Sequence, residues 1–174
     1  LFPYTTLFRS NSHVTKSYTN SLGQLALIID ARGGKTEYYY DAQGNLREVS
    51  RFDPGENGIL KSRTTMGYDG FGRKTTMDDP DMGIWAYRYD KNGNLVAQQD
   101  AENQVLCFAY DSLNRMTTKW SLGVQTGNFA NVACGNVPDK STQENSSPWL
   151  ATWEYDGDAE GKGKIGRASC RERV

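Results

Sequence analysis

The sequence predicts an all-β fold built as a tandem array of β-hairpins. Three observations lead to this prediction. A Tyr-Asp turn occurs in four good copies, which begin at Tyr40, Tyr68, Tyr89 and Tyr110. The glycine or asparagine that closes each turn recurs at steps of 21, 28, 21 and 21 residues, counted from Gly23. Apolar side chains occupy alternate positions before each turn, which is the period of a β-strand.

Each predicted turn combines an aspartate with a residue that tolerates a positive φ. The carboxylate can accept hydrogen bonds from backbone N–H groups two residues on, and Gly or Asn suits the left-handed end of the turn. The signature residues are Tyr40, Asp41 and Gly44; Tyr68, Asp69 and Gly72; Tyr89, Asp90 and Gly93; and Tyr110, Asp111 and Asn114. A weaker copy lies at residues 20–25, and Tyr155 and Asp156 begin a longer variant.

The strands before these turns carry paired apolar side chains. Spacing by two residues places both members of a pair on one face of a strand. The pairs are Tyr38 with Tyr40, Met66 with Tyr68, Tyr87 with Tyr89, Phe108 with Tyr110, and Trp153 with Tyr155.

A second set of turns lies between the main ones, at residues 30–33, 79–83 and 100–103. Each repeat is therefore expected to contain two strands and two reversals, for which about 21 residues suffice. The 28-residue step carries its extra residues around 54–58. We expect these residues to lie in a surface loop, where an insertion disturbs a repeat least.

Residues 120–150 depart from the repeat pattern. Aromatic alternation lapses there, and Gly, Asn, Ser and Pro become frequent, which is loop composition. We expect an irregular insertion that replaces or decorates one repeat before the strand pattern resumes.

The two ends of the chain are expected to be artefactual. Residues 1–10 resemble the translation of a common sequencing adapter, and residues 164–174 resemble its reverse complement. Segments of this kind are excluded from fold reasoning. The YD-repeat region is therefore assigned to residues 11–163, which we expect to be a window on a longer protein.

Charge and hydropathy exclude two classes of partner. The net charge of −1 becomes −5 once Arg9 and the net +3 of residues 164–174 are left out, so no clustered basic surface for nucleic acid is expected. The longest apolar run is Leu25–Ile29, far short of the roughly 18 residues of a membrane-spanning helix.

With Cys170 in the adapter-like end, Cys107 and Cys134 remain. Two cysteines do not distinguish a disulfide from two buried thiols, so both alternatives stay open at this point.

The repeated Tyr-Asp-x-x-Gly pattern resembles the YD repeats of the Rhs family, which includes bacterial polymorphic toxins, the C component of insecticidal toxin complexes, and the related teneurins. The resemblance covers most of residues 18–163. It implies a fragment of a spiral β-sheet shell that houses or presents a toxin or effector domain of the same parent protein. It also implies a secreted or cell-surface location and no enzymatic activity in the repeats.

The candidate chemical sites all have simpler explanations, so no catalytic, cofactor-binding or metal-binding residue is predicted. His13 stands beside the adapter-like end, Asp53 and residues 78–81 coincide with turns, and residues 33–36 lack the upstream glycine of a phosphate loop. Asn145 begins a glycosylation acceptor sequence.

An alternative function is carbohydrate or cell-surface binding through exposed repeat aromatics, since aromatic faces stack on sugars and anchor interfaces. A contiguous accessible patch would favour binding, whereas burial would favour a scaffold. The residues concerned are Trp85, Tyr87, Tyr89, Trp149 and Trp153.

Overall fold

The computed structural model describes residues 2–4, 14–55, 58–135, 137, 149–155 and 165–170. These residues form antiparallel β-strands and one short 3-10 helix, η1 (Phe129–Asn131). The chain divides into two compact units, Leu1–Ile84 and Trp85–Val174. The predicted all-β array of hairpins is confirmed.

In the first unit each strand pairs with the strand that follows it in sequence, as successive hairpins require. The strands are β1 (Phe2–Tyr4), β2 (Lys16–Thr19), β3 (Leu25–Ile29), β4 (Lys35–Tyr40), β5 (Leu46–Phe52), β6 (Leu60–Tyr68) and β7 (Lys74–Asp79).

The second unit repeats the same up-and-down order. Its strands are β8 (Gly83–Tyr89), most of which lies in this unit, β9 (Leu95–Gln99), β10 (Gln104–Tyr110), β11 (Met116–Val124), β12 (Trp149–Tyr155) and β13 (Ile165–Cys170).

Each Tyr-Asp turn lies beside an irregularity in strand pairing. The register shifts between Tyr39 and Tyr40, so that Tyr40 pairs with Leu46 across the turn. The same shift precedes Tyr68, Tyr89 and Tyr110. A turn followed by one left-handed residue produces this bulge, which fixes hairpin register.

The irregular insertion begins later than the sequence predicted. Strand β11 continues through Val124 because Trp120 pairs with Cys107 of β10 and is only 1% exposed. Strand β12 then pairs with β11, with Thr118 opposite Thr152. The strands on either side of the insertion, β11 and β12, are therefore neighbours in the sheet.

The hydrophobic core lies in the second unit. Val105, Cys107 and Trp120 are fully buried, and partly buried apolar residues from β10, β11 and the insertion pack against them. Among the described residues of the first unit, only Ser50 is buried to this degree. The single sheet layer of that unit therefore relies on its hydrogen bonds and on partial burial.

Candidate functional site

The Tyr-Asp turns are built around one carboxylate. In the turn at Asp41, Oδ1 accepts hydrogen bonds from the backbone N–H groups of Gln43 (3.0 Å) and Asn45 (2.8 Å). Oδ2 accepts a third from the Asn45 side-chain amide at 3.0 Å. One side chain thus satisfies the N–H groups that the reversal leaves without a ladder partner.

The other turns use the same geometry with two kinds of closing side chain. In the turn at Asp90, the side-chain amide of Asn94 donates a hydrogen bond to Asp90 Oδ2 at 2.9 Å. Asp69 and Asp111 are closed by arginines, with shortest Arg nitrogen to Asp oxygen distances of 2.7 Å for Arg73 and 2.6 Å for Arg115. The weaker copy is built alike, since the Asn20 side-chain oxygen accepts from the N–H groups of Leu22 and Gln24 at 3.0 Å each.

These hydrogen bonds hold the pKa values of the turn carboxyls below the usual range. At Asp41 the Asn45 side chain is the largest cause, and at Asp111 it is the backbone N–H of Arg115. For Asp69 and Asp90 the largest single influence is partial burial, which raises the pKa. The hydrogen bonds from the residue four positions on and from the turn backbone together lower the pKa by more than burial raises it. The ionised carboxylate is therefore the form that the folded turn favours.

The closing residue of each turn has left-handed backbone. Gly44 has φ of 90° and Asn114 has φ of 60°, so the asparagine supplies the same conformation as glycine. The second set of turns repeats this design at Asp100, whose Oδ1 accepts from the N–H groups of Glu102 and Gln104, with Asn103 at φ of 61°.

The tyrosine of a repeat bonds to the preceding repeat. The hydroxyls of four of these tyrosines donate to the backbone carbonyl of the residue that starts the strand after the preceding turn, at 2.8 to 3.0 Å. The donor and acceptor pairs are Tyr40 and Leu25, Tyr68 and Leu46, Tyr110 and Leu95, and Tyr155 and Met116. Sequence reasoning placed these tyrosines on a packing face and missed the hydrogen bond, which we call the tyrosine link.

The tyrosine link brings successive turns close together. Burial first, and then the charge of Asp41, raise the pKa of Tyr68, and burial and the charge of Asp90 do the same for Tyr110. Neighbouring turns also touch directly, since Asn94 Nδ2 donates to Asn114 Oδ1 at 2.9 Å. Hydrogen bonds therefore join neighbouring repeats within each unit.

Tyr155 shows that the insertion leaves the repeat intact. Its hydroxyl bonds Met116 although 39 residues separate them, and the Arg115 guanidinium lies 4.4 Å from the centre of its ring. Tyr89 lies on β8 and is half-buried. Asp156 falls outside the described residues.

The insertion is fastened to the sheet by a disulfide. Cys107 on β10 is bonded to Cys134, with their Cα atoms 5.6 Å apart. This resolves the two alternatives that the sequence left open. Arg88 on β8 holds the same segment, since its Nη1 donates to the carbonyls of Phe129 (3.2 Å) and Ala130 (3.1 Å).

Two of the acidic residues considered for chemistry, Asp79 and Asp53, are engaged in local structure. Asp79 Oδ1 accepts from the N–H groups of Asp81 and Met82, and Oδ2 from the Thr64 hydroxyl at 2.7 Å. Asp53 pairs with Lys61 at 3.1 Å. Within the described ranges no three His, Cys, Asp or Glu side chains are grouped to hold a metal ion. His13 and Asn145 lie outside the described residues.

The aromatics proposed for binding are not exposed as a patch among the described side chains. Trp85, Tyr87, Tyr89 and Trp153 are each half-buried, and the rings of Trp85 and Tyr87 stack on each other with centroids 6.5 Å apart. The side chain of Trp149 is outside the described part.

An open groove of about 450 Å³ lies beside the turns of the first unit and is lined by residues that include Asn20, Glu37, Tyr39 and Asp41. Several of its polar side chains are already engaged. Asn20 and Asp41 close turns, and the carboxylate of Glu37 accepts from the Tyr39 hydroxyl. These side chains are therefore already used within the sheet and its turns.

None of the described helices is long and apolar enough to cross a membrane.

Residues 8–121 match the family model described as the teneurin YD-shell. A search of curated proteins found no match. Among solved structures, the chain resembles one titled "Crystal Structure of TcdB2-TccC3-Cdc42", at 18% identity and a TM-score of 0.58 over 82% of this chain. It also resembles "Crystal Structure of TcdB2-TccC3", at 16% identity and a TM-score of 0.57 over 82% of this chain. The matched region spans 6% of the length of each of those chains, and the likeness concerns the fold.

Proposed function

This chain belongs to the teneurin YD-shell family, and we propose that it is a non-enzymatic structural segment of a YD-repeat shell that houses or presents a toxin or effector domain of its parent protein. The parent is proposed to be secreted or displayed at the cell surface.

The tyrosine link is the observation that carries this proposal. It joins four repeats to the one before them, and it recurs in both units at 2.8 to 3.0 Å. The turn carboxylates are likewise engaged in holding the backbone. The polar groups of the signature residues therefore make structural hydrogen bonds within and between repeats. This arrangement favours a structural role over a reaction site.

The disulfide supports the proposed location. Disulfides form and persist in oxidising compartments and are rare in the cytosol of most organisms. Cys107 and Cys134 are bonded in the folded chain, in agreement with a shell that matures outside the cytosol.

The test is to recover the full gene from the source DNA by long-read sequencing and to express the parent protein. We expect further Tyr-Asp repeats on both sides and a separate C-terminal domain that resists protease only while the shell is intact. The control is the isolated C-terminal domain under the same digestion. Equal cleavage rates for the enclosed and the isolated domain would overturn the enclosing role.

We also propose that residues 1–10 and 164–174 are adapter-derived and that natural repeats occupy their edge positions. Strands β1 and β13 pair with β2 and β12, as extended segments readily do at an open sheet edge. Trimming both ends should leave the unfolding free energy of the repeats unchanged. A large loss of stability, or the same peptides in the native gene, would contradict this assignment.

A further inference from the structure

The described part of the insertion packs against a face of the sheet in the second unit. The residues at the equivalent positions of the first unit have different chemistry. Equivalent positions of the repeat are occupied by Glu37 opposite Ser50 in the first unit and by Cys107 opposite Trp120 in the second. The first pair is polar. The second is apolar and fully buried, so the sheet carries a dedicated apolar seat where the insertion lies.

Three kinds of contact hold the insertion there. Phe129, Val132 and Cys134 pack against the buried residues of the seat. The Arg88 guanidinium donates two hydrogen bonds to backbone carbonyls of η1 and lies 5.7 Å from the centre of the Phe129 ring. The Cys107–Cys134 disulfide is the covalent member of the set.

Residues 125–135, which we call the strap, make only a small apolar contact. Of these residues, Phe129, Val132 and Cys134 are the apolar ones packed against the core cluster, and η1 spans three residues without a buried side chain. A short segment with so little apolar burial holds its position weakly without a crosslink, because its ordering opposes folding.

We propose that residues 125–135, the strap, form a redox-sensitive latch on the face of β10 and β11, closed by the Cys107–Cys134 disulfide and opened by small thiols. This inference does not depend on the shell function. Opening removes the strap from the seat and uncovers Val105 and Trp120.

The chemistry of opening needs two equivalents of a monothiol such as glutathione. The thiolate of the first attacks Cys134 Sγ, which belongs to a half-buried residue, whereas Cys107 is fully buried. Cys107 leaves as a thiolate and takes a proton. A second thiolate attacks the external sulfur of the mixed disulfide and releases Cys134. Two thiols are oxidised to one disulfide, and the protein disulfide is reduced to two thiols.

The test uses the full chain with Cys170→Ser, so that any thiol detected belongs to the latch. Thiol titration of the denatured protein should find none before reduction and two after treatment with reduced glutathione. Hydrogen exchange followed by mass spectrometry then compares the two forms. We expect amide exchange in the strap to rise at least tenfold on reduction, with a smaller rise in β10 and β11.

Two controls keep the result specific. Exchange across β4 and β5 should not change, because these strands lie in the other unit and contain no cysteine. The Cys134→Ser variant should show the open pattern without reductant and no further response to it. Unchanged exchange in the strap on reduction would overturn the latch, and so would a uniform rise across both units. Two titratable thiols in protein purified without reductant would also refute it.

Discussion

Removing one tyrosine hydroxyl tests whether the tyrosine link stabilises the array. We choose Tyr110→Phe, because the Tyr110 hydroxyl donates to the Leu95 carbonyl at 3.0 Å in a partly buried setting. The substitution keeps the ring and its packing. It deletes the donor and leaves a carbonyl that is only partly exposed to water.

The expected cost follows from that geometry. A typical intramolecular hydrogen bond contributes about 0.5 to 1.5 kcal/mol, and stranding a buried acceptor costs about 1 to 3 kcal/mol. Because the site is only partly buried, we expect the free energy of unfolding to fall by about 1 kcal/mol. That corresponds to a decrease in Tm of roughly 2 to 4 °C for a chain of this length.

The matched control is Tyr39→Phe, which removes the same atom from a residue that is 50% exposed. The Tyr39 hydroxyl bonds Glu37 of its own strand and joins no two repeats. Urea and thermal unfolding should show a loss for Tyr110→Phe and a change within about 0.5 kcal/mol for Tyr39→Phe. Hydrogen exchange should rise at β9 as well as at β10 in the first variant.

Equal losses for the two variants would refute the reasoning. So would an increase in exchange confined to β10, since a link between repeats must affect both partners.

Three further predictions concern the turns. Asp90→Ala should lower the free energy of unfolding by about 1 to 2 kcal/mol. Asp90→Asn should lower it by less, because the Asn20 amide oxygen accepts the same two backbone hydrogen bonds. Equal losses for the two variants in urea unfolding would contradict this. Both Asn114→Gly and Asn114→Ala remove the exposed hydrogen bond from Asn94, but Asn114→Ala should cost about 1 kcal/mol more, because alanine is strained at φ of 60°; the ranking of the two midpoints decides. The lowered pKa values of the turn aspartates stabilise the fold fully above their unfolded pKa of about 3.9, and this stabilisation is lost as pH falls through the lower folded values. An acid titration followed by circular dichroism should therefore show flat stability at neutral pH and loss below about pH 4, and stability that rises on acidification would exclude it.

The turns could be predicted from sequence because their determinants are local. Asp41, Gly44 and Asn45 lie within five residues of one another and make the whole reversal by themselves. Turn chemistry therefore predicted the hairpins, the register of the strands follows from it, and the all-β class follows from their repetition.

The tyrosine link could not be predicted in the same way, because its acceptor is a backbone carbonyl without a sequence signature. The acceptor lies 15 residues before Tyr40 and 22 before Tyr68, so no fixed spacing identifies it. What stays constant is its place in the preceding repeat, two residues after the left-handed Gly or Asn of the turn. An alignment of the repeats by their turns would have indicated it.

The pairing of Cys107 with Cys134 and the true end of β11 share one cause. Both depend on how the insertion returns over the sheet, and loop composition does not determine that path. Trp120 looked like the start of a loop because aromatic alternation ends there. It remains in the strand because the returning segment covers it and makes its burial possible.

The repeat thus separates two requirements that most folds combine. Turn carboxylates and tyrosine links stabilise the backbone without using the side chains at the other strand positions. Those positions are then free to vary, as Ser50 and Trp120 illustrate: they are equivalent in the repeat and equally buried, yet one is polar and the other a large aromatic. A family organised in this way can gain a seat for an insertion through a few face substitutions, and the backbone of the wall does not change.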